Sequence, residues 1–287
     1  MRWRAGLVAV ALLLAGCARP APPVDARPAL WRVSDAATTI WLIGTIHALP
    51  PQVRWETPTV RAAIAAADTL VLEVPPAAGD AHAQFEAMAR APGLPPLSAR
   101  VAPADRALLA RGIAAAGQSA GDLQGYRTWG AALVLGSAGG HVNDASGDLG
   151  VEPVLAERFR GKAIGALETR AGQLRLFDRL PEASQRTLLR DAAQDAVDPA
   201  RGYRMLLSAW MAGDARALAA TLESVRRDPV LTNSLIVARN RRWAGAIVRR
   251  MARPGRVLVA VGAGHLVGAG SVVDLLRARG VKVDRLQ

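Results

Sequence analysis

Short β-prone runs recur along this chain with helical stretches between them, and that alternation constrains the fold more than any other feature of the sequence. Residues 31–34 and 38–43, separated by Asp35-Ala36-Ala37, read as a hairpin whose second strand ends at Gly44. Thr57-Pro58 is an N-cap and first-turn pair that opens a helix through Ala67. Residues 70–74 then read as a short apolar strand stopped by Pro75-Pro76. From about residue 81 to 138 the pattern turns helical, with Pro103 opening one segment and residues 126–135 carrying apolar side chains at three-and-four spacing. After a Gly/Asn/Asp/Ser loop at 139–150, residues 154–159 read as helix and 163–167 as a small-residue strand. Helices are expected at 184–194, 203–212, 215–222 and 231–251, then a strand at 256–261, a Gly-rich turn, a helix at 271–279 and a last strand at 281–286. The expected fold is α/β: a central mixed β-sheet flanked by helices, with a helical layer inserted in the middle of the chain.

The start of the chain reads differently. Arg2 and Arg4 precede an uncharged, mostly apolar stretch at 6–15, too short to span a bilayer, and Leu14-Ala15-Gly16-Cys17 resembles a bacterial lipobox. Residues 1–16 are therefore expected to be a lipoprotein signal, with lipid on Cys17, a flexible Pro- and Ala-rich tether over 17–29, and one domain over 30–287. With its only cysteine lipidated, the domain would have neither a disulfide nor a thiol nucleophile. Ala18, where inner-membrane lipoproteins carry Asp, resembles the sorting pattern of outer-membrane lipoproteins. The expected location is the cell envelope, at the outer membrane facing the periplasm, with the membrane reached through Cys17. No later segment approaches the roughly 20 apolar residues of a span. The formal charge of +12 becomes +10 without Arg2 and Arg4. Lys162 and Lys282 are the only lysines, the arginines are scattered among alanines, and aromatics are 4% of the chain. Nucleic acid is thus not an expected partner, whereas anionic lipid or cell-wall polymer is compatible with the charge.

Four ionisable side chains fall at strand exits in this reading: His47, Glu73, Glu168 and His265. In open α/β sheets the ligand crevice lies outside the carboxyl ends of the strands. Gly44-Thr45-Ile46-His47 and Gly262-Ala263-Gly264-His265 share the pattern G-x-x-H, in which glycine lets the backbone turn and a ligand approach. Two imidazoles with a carboxylate such as Glu73 are a ligand set of catalytic divalent metals. A lone histidine at a strand end is also a common structural hydrogen-bonder, but a carboxylate in an apolar run, as at Glu73, is costly to bury without a partner. His82 and His141 lie in polar or Gly-rich surroundings and read as surface residues.

These segments resemble the TraB/GumN family, to which the Tiki metalloproteases are related. The resemblance rests on Leu42-Ile43-Gly44-Thr45-Ile46-His47, Leu72-Glu73-Val74 and Gly262-Ala263-Gly264-His265-Leu266. Between them, Gly150-Val151-Glu152, Leu167-Glu168-Thr169, Gln173 and Arg239-Asn240 with Trp243 match as well. It implies a metal-dependent, peptidase-like hydrolase centred on His47, Glu73 and His265, with Mn, Co or Zn as the divalent metal and a peptide or other envelope small molecule as substrate. Glu73 or Glu168 would assist the metal and take a proton from its water, and Arg239, with Asn240, would stabilise the oxyanion. Glu152 stands where family members often have aspartate, which weakens any role for that position. Two rivals stay open: a non-catalytic periplasmic binding lipoprotein for a peptide, metal or haem, and a metal-free esterase-like hydrolase with histidine as general base.

Overall fold

A computed structural model describes residues 22–76, 79–137 and 145–287. The expected lipoprotein signal, Cys17, the first part of the expected tether and His141 lie outside the described residues. Six strands form the main sheet: β2 (Leu30–Ser34), β3 (Thr38–Thr45), β5 (Thr69–Leu72), β6 (Ala163–Ala166), β7 (Gly255–Gly262) and β8 (Val283–Arg285). Their order is β6-β5-β7-β3-β2-β8. β6, β5, β7 and β3 run parallel, and β2 is antiparallel to both β3 and β8. The sheet is therefore mixed, as the sequence pattern indicates. β7 lies between β5 and β3, and its Val257 to Val261 run is buried, which explains a sequence that is continuously apolar rather than alternating.

Helix α1 (Pro58–Ala66) precedes β5. α2 (Ala81–Ala89), α3 (Arg106–Ala115), α4 (Ala120–Gln124), α5 (Thr128–Ser137) and α6 (Val151–Arg158) lie between β5 and β6. α7 (Arg170–Asp178), α8 (Glu182–Val197), α9 (Pro199–Met211), α10 (Ala215–Ala220), α11 (Glu223–Arg226), α12 (Pro229–Thr232) and α13 (Ala238–Met251) lie between β6 and β7, and α14 (Val272–Arg277) precedes β8. Trp210 of α9, Trp243 and Ile247 of α13, and Leu155 of α6 join the sheet residues in one apolar core. Leu109 and Ile113 of α3, Trp129 and Leu135 of α5, and Leu189 of α8 form a second core, the inserted helical layer. Among the described residues no helix is long and apolar enough to cross a membrane.

The packed body starts before Leu30, which corrects the end of the expected tether. Val24–Asp25 (β1) pairs in parallel with Val53–Arg54 (β4), and the Ala26 amide donates to Arg54 O at 2.8 Å. Ala26 and Ala29 are buried. Their small side chains fit against the sheet, so residues that read as spacer by composition are held by backbone bonds. The expected helix at 231–251 is also broken: a π-helical segment, Asn233–Val237, separates α12 from α13. Single π turns recur at functional sites, because the extra residue re-aims the side chains that follow. The strand expected over 70–74 stops at Leu72. α7 had no counterpart in the sequence reading, although Thr169 caps it by accepting from the Gly172 amide.

Candidate active site

Because β3, β5, β6 and β7 are parallel, their carboxyl ends share one edge of the sheet, and the residues just beyond them meet there. His47 follows β3, Glu73 follows β5, Glu168 follows β6, and His265 ends a 3-10 turn (Ala263–His265) after β7. α13 brings Arg239 and Asn240 to the same edge.

The centre of this group is the guanidinium of Arg239, a residue 6% exposed. Its Nη2 donates to Glu73 Oε2 at 2.8 Å and pairs with Glu168 Oε2 at 3.0 Å. Its Nε lies 3.1 Å from Glu168 Oε2, and Nη1 donates to Leu235 O at 3.1 Å and to His265 Nε2 at 3.0 Å. Four of the five guanidinium N–H groups thus have hydrogen-bond acceptors, and the second N–H of Nη2 is left to the ion pair with Glu168. The π segment just before α13 supplies the Leu235 carbonyl in that set. Glu168 also accepts from Trp243 Nε1 at 3.1 Å and from Arg242 at 3.2 Å, and the Arg239 guanidinium lies 4.6 Å from the Trp243 ring centroid. Glu73 takes three donors: Arg239, Gln173 Nε2 at 3.2 Å and the Gly262 amide at 2.6 Å. That last contact explains the glycine of the second G-x-x-H motif, since a Cβ on Gly262 would stand 3.1 Å from Glu73 Oε1.

The two histidines are prepared in the same way and poised oppositely. Asn240 donates through Nδ2 to Gly270 O at 2.9 Å, so its Oδ1 faces His265 Nδ1 at 2.7 Å and requires a proton there. His265 is therefore a neutral Nδ1–H tautomer whose Nε2 lone pair accepts from Arg239. Burial, with the Arg239 charge adding to it against the pull of Glu73, lowers its pKa to about 4. His47 Nδ1 lies 2.7 Å from Glu152 Oε1, which also accepts from Thr45 Oγ1 at 2.7 Å. The hydrogen bond to Glu152 raises His47 to about 9, although its side chain is 80% exposed. Burial acts to raise Glu152, but the hydrogen bond and charge of His47 outweigh it and hold the carboxyl below its usual range. Glu152→Gln is expected to return His47 from about 9 toward its ordinary value of 6.5, read from the ring C–H shifts in a proton NMR titration. An unchanged midpoint would show that the pair is not formed.

Two expectations from the sequence change here. Asn240 is fully buried and both of its polar atoms are engaged, so it orients His265 and does not touch an oxyanion. Glu152, discounted because the family often carries aspartate there, is joined to His47. Its Oε2 is buried with no hydrogen-bond partner among the described residues. The signal for it was its place in Gly150-Val151-Glu152. A Cβ on Gly150 would stand 2.2 Å from His47 O, and the Val151 amide donates to Ile46 O at 3.1 Å, so this turn is docked directly on the first G-x-x-H motif. Thr45, Gln173 and Trp243 complete the set that sequence reasoning did not assign.

His47, Glu73, Glu152 and Gln173 line a cleft of about 680 Å³ whose walls include Pro75, Pro76, Pro153 and Ile164. By donor type, His47, Glu73 and His265 suit a divalent cation, and each imidazole has Nδ1 tied to an acceptor, the usual support behind a metal-binding histidine. Glu73 Oε1 lies 3.9 Å from His265 Nε2. Among the described residues no three His, Cys, Asp or Glu side chains are drawn together closely enough to hold a metal ion, and Arg239 holds Glu73 and His265 on its own N–H groups.

Fold and site together define an α/β protein with histidines and carboxylates gathered at the carboxyl ends of four parallel strands around a buried arginine. The chain belongs to the TraB/PrgY/gumN family, which it matches over residues 29–285. No curated relative and no solved structure matches it.

Proposed function

We propose that this chain is a metal-dependent hydrolase of the bacterial cell envelope, peptidase-like, anchored through lipid on Cys17 and facing the periplasm from the outer membrane. In this reading His47, Glu73 and His265 hold a divalent metal (Mn, Co or Zn), and the substrate is a peptide or another small molecule of the envelope. The observation that carries it is the shared support of the two imidazoles: Glu152 and Asn240 hold Nδ1 of His47 and His265, so each ring would turn Nε2 to a cation once His47 gives up its proton and Arg239 releases the His265 lone pair. A cation there supplies Lewis-acid polarisation of the scissile carbonyl. The remaining roles fall to the chain. Glu152 fixes His47 through Oε1, and Glu73, which lines the cleft, takes the proton from the attacking water. Arg239 acts on developing negative charge through its field, since its N–H groups are already taken. Glu168, with Trp243, fixes Arg239 in place.

One contact favours a metal-free hydrolase as the second reading. Arg239 Nη1 lies 3.0 Å from His265 Nε2, so a fixed cation already occupies that lone pair, and His47 with Glu152 would then serve as the acid–base pair.

Elemental analysis and hydrolysis of a peptide library by the purified protein, beside His47→Ala and His265→Ala, test the proposal. Stoichiometric metal is expected in the wild type and lost in both variants, with hydrolysis falling at least ~100-fold while circular dichroism is retained. Metal content and hydrolysis unchanged in both variants would place the centre elsewhere. Hydrolysis that survives exhaustive chelation selects the metal-free reading, and bound metal without hydrolysis of any peptide selects a binding lipoprotein.

A further inference from the structure

The two edges of the main sheet are built differently. β8, at one edge, carries Asp284 and Arg285, and Asp284 pairs with Arg32 at 3.4 Å and Lys282 at 3.8 Å. Charges of this kind are how edge strands are kept from pairing with other chains. β6, at the opposite edge, is Ala163-Ile164-Gly165-Ala166, without a charge or a proline. Three of its four residues are exposed, Ile164 at 36%. The flanking Lys162 is turned away, its Nζ donating to Ala67 O at 2.8 Å.

The ladder shows which backbone groups of β6 are open among the described residues. Leu167 N donates to Leu72 O at 2.9 Å, and β6 pairs with β5 in the register Leu70↔Ile164 and Leu72↔Ala166. In a parallel pair, backbone groups alternate sides, so those of Gly165 face β5, as Leu167 does, and those of Ile164 and Ala166 face outward. This open edge is continuous with the cleft, since Ile164 lines the cavity that also holds His47, Glu73 and Glu152. Arg170, in the first turn of the helix that follows β6, lines it too and has no acidic partner among the described residues.

We propose that the open edge of β6 receives an extended peptide as a seventh strand, led into the cleft with a carboxylate of the peptide met by Arg170. Main-chain bonds to Ile164 and Ala166 hold the peptide over about 13 Å, four residues at roughly 3.3 Å each, and the small side chains of β6 leave room for its alternate side chains. This assignment rests on the peptide reading of the same cleft but concerns binding, so it is separable from turnover.

Randomised octapeptides with free carboxyl termini are selected on the intact protein, and the winners are remeasured by fluorescence anisotropy. Ala166→Pro removes an outward N–H without taking a bond from the β5 ladder, and is expected to raise Kd about tenfold with the melting transition unchanged. Single N-methylation along a selected peptide is expected to weaken binding at alternate positions only. Arg170→Ala is expected to weaken free-acid peptides; loss retained on C-terminal amidation but absent from peptides without Asp or Glu assigns the contact to a side-chain carboxylate instead. Peptides that bind Ala166→Pro as tightly as wild type, with no alternation on N-methylation, overturn the β6 site while leaving peptide hydrolysis intact. Failure to select any peptide overturns it as well. Peptides that bind in the expected pattern but are never cleaved sustain the β6 site and overturn the hydrolase reading.

Discussion

Arg239→Leu is expected to lower the unfolding free energy by ~3–5 kcal/mol, measured by chemical denaturation, because it leaves two largely buried carboxylates without the cation they share. The side chains of Glu73 and Glu168 are each 10% exposed, and both rely on the same guanidinium. Without it, Glu73 keeps the Gly262 amide and Gln173, and Glu168 keeps Trp243 and Arg242, but the buried cation between them is gone. Adding Glu73→Gln and Glu168→Gln to the leucine variant is expected to recover part of the loss, since the uncompensated charge leaves with them. Arg239→Lys should fall between, as a single ammonium has three donors and cannot serve five acceptors. A loss under ~1 kcal/mol for the leucine variant would mean that water reaches the centre and replaces the guanidinium.

Trp210→Ala is expected to cost a similar ~3–5 kcal/mol, from the cavity it opens in the core. Trp210 of α9 is 1% exposed, and its Nε1 donates to Gly44 O at 2.8 Å, inside the first G-x-x-H motif. Trp210→Phe fills most of the space but leaves that carbonyl unpaired, for a loss of ~1–3 kcal/mol. The difference between the two variants separates packing from the hydrogen bond. Equal stability of Trp210→Phe and wild type would show that the Gly44 carbonyl finds another donor.

Both predictions concern contacts that hold the site from behind, and these are where sequence reading stopped. The strands and their exits were visible in the chain because each is a local event: a few apolar residues, then a glycine, an acid or a histidine. The parallel order of β3, β5, β6 and β7 followed from helices intervening between most of them, and it was enough to bring His47, Glu73, Glu168 and His265 to one edge. Composition misled at residues 24–29, the end of a Pro- and Ala-rich stretch that resembles a spacer although its backbone is paired, because small residues serve close packing as well as flexibility. The continuous helical pattern at 231–251 concealed a π segment, since one residue of slippage leaves the apolar spacing nearly intact.

The partners of the site residues had no local trace. Arg239 lies 166 residues from Glu73, and Glu152 lies 107 residues from Thr45, with which it shares a hydrogen bond beside His47. Whether a glutamate one methylene longer than aspartate reaches a histidine depends on how closely its turn docks on β3, a distance set by Gly150 against the His47 carbonyl. Likewise the proton on His265 Nδ1 depends on which way Asn240 faces, and that is decided by the Gly270 carbonyl across the fold. Periodicity and strand punctuation, being short-range, place the ionisable groups at the sheet edge. Their tautomers, charges and pairings arise only when α6 and α13 pack against that edge, because burial and hydrogen bonding depend on neighbours distant in the chain.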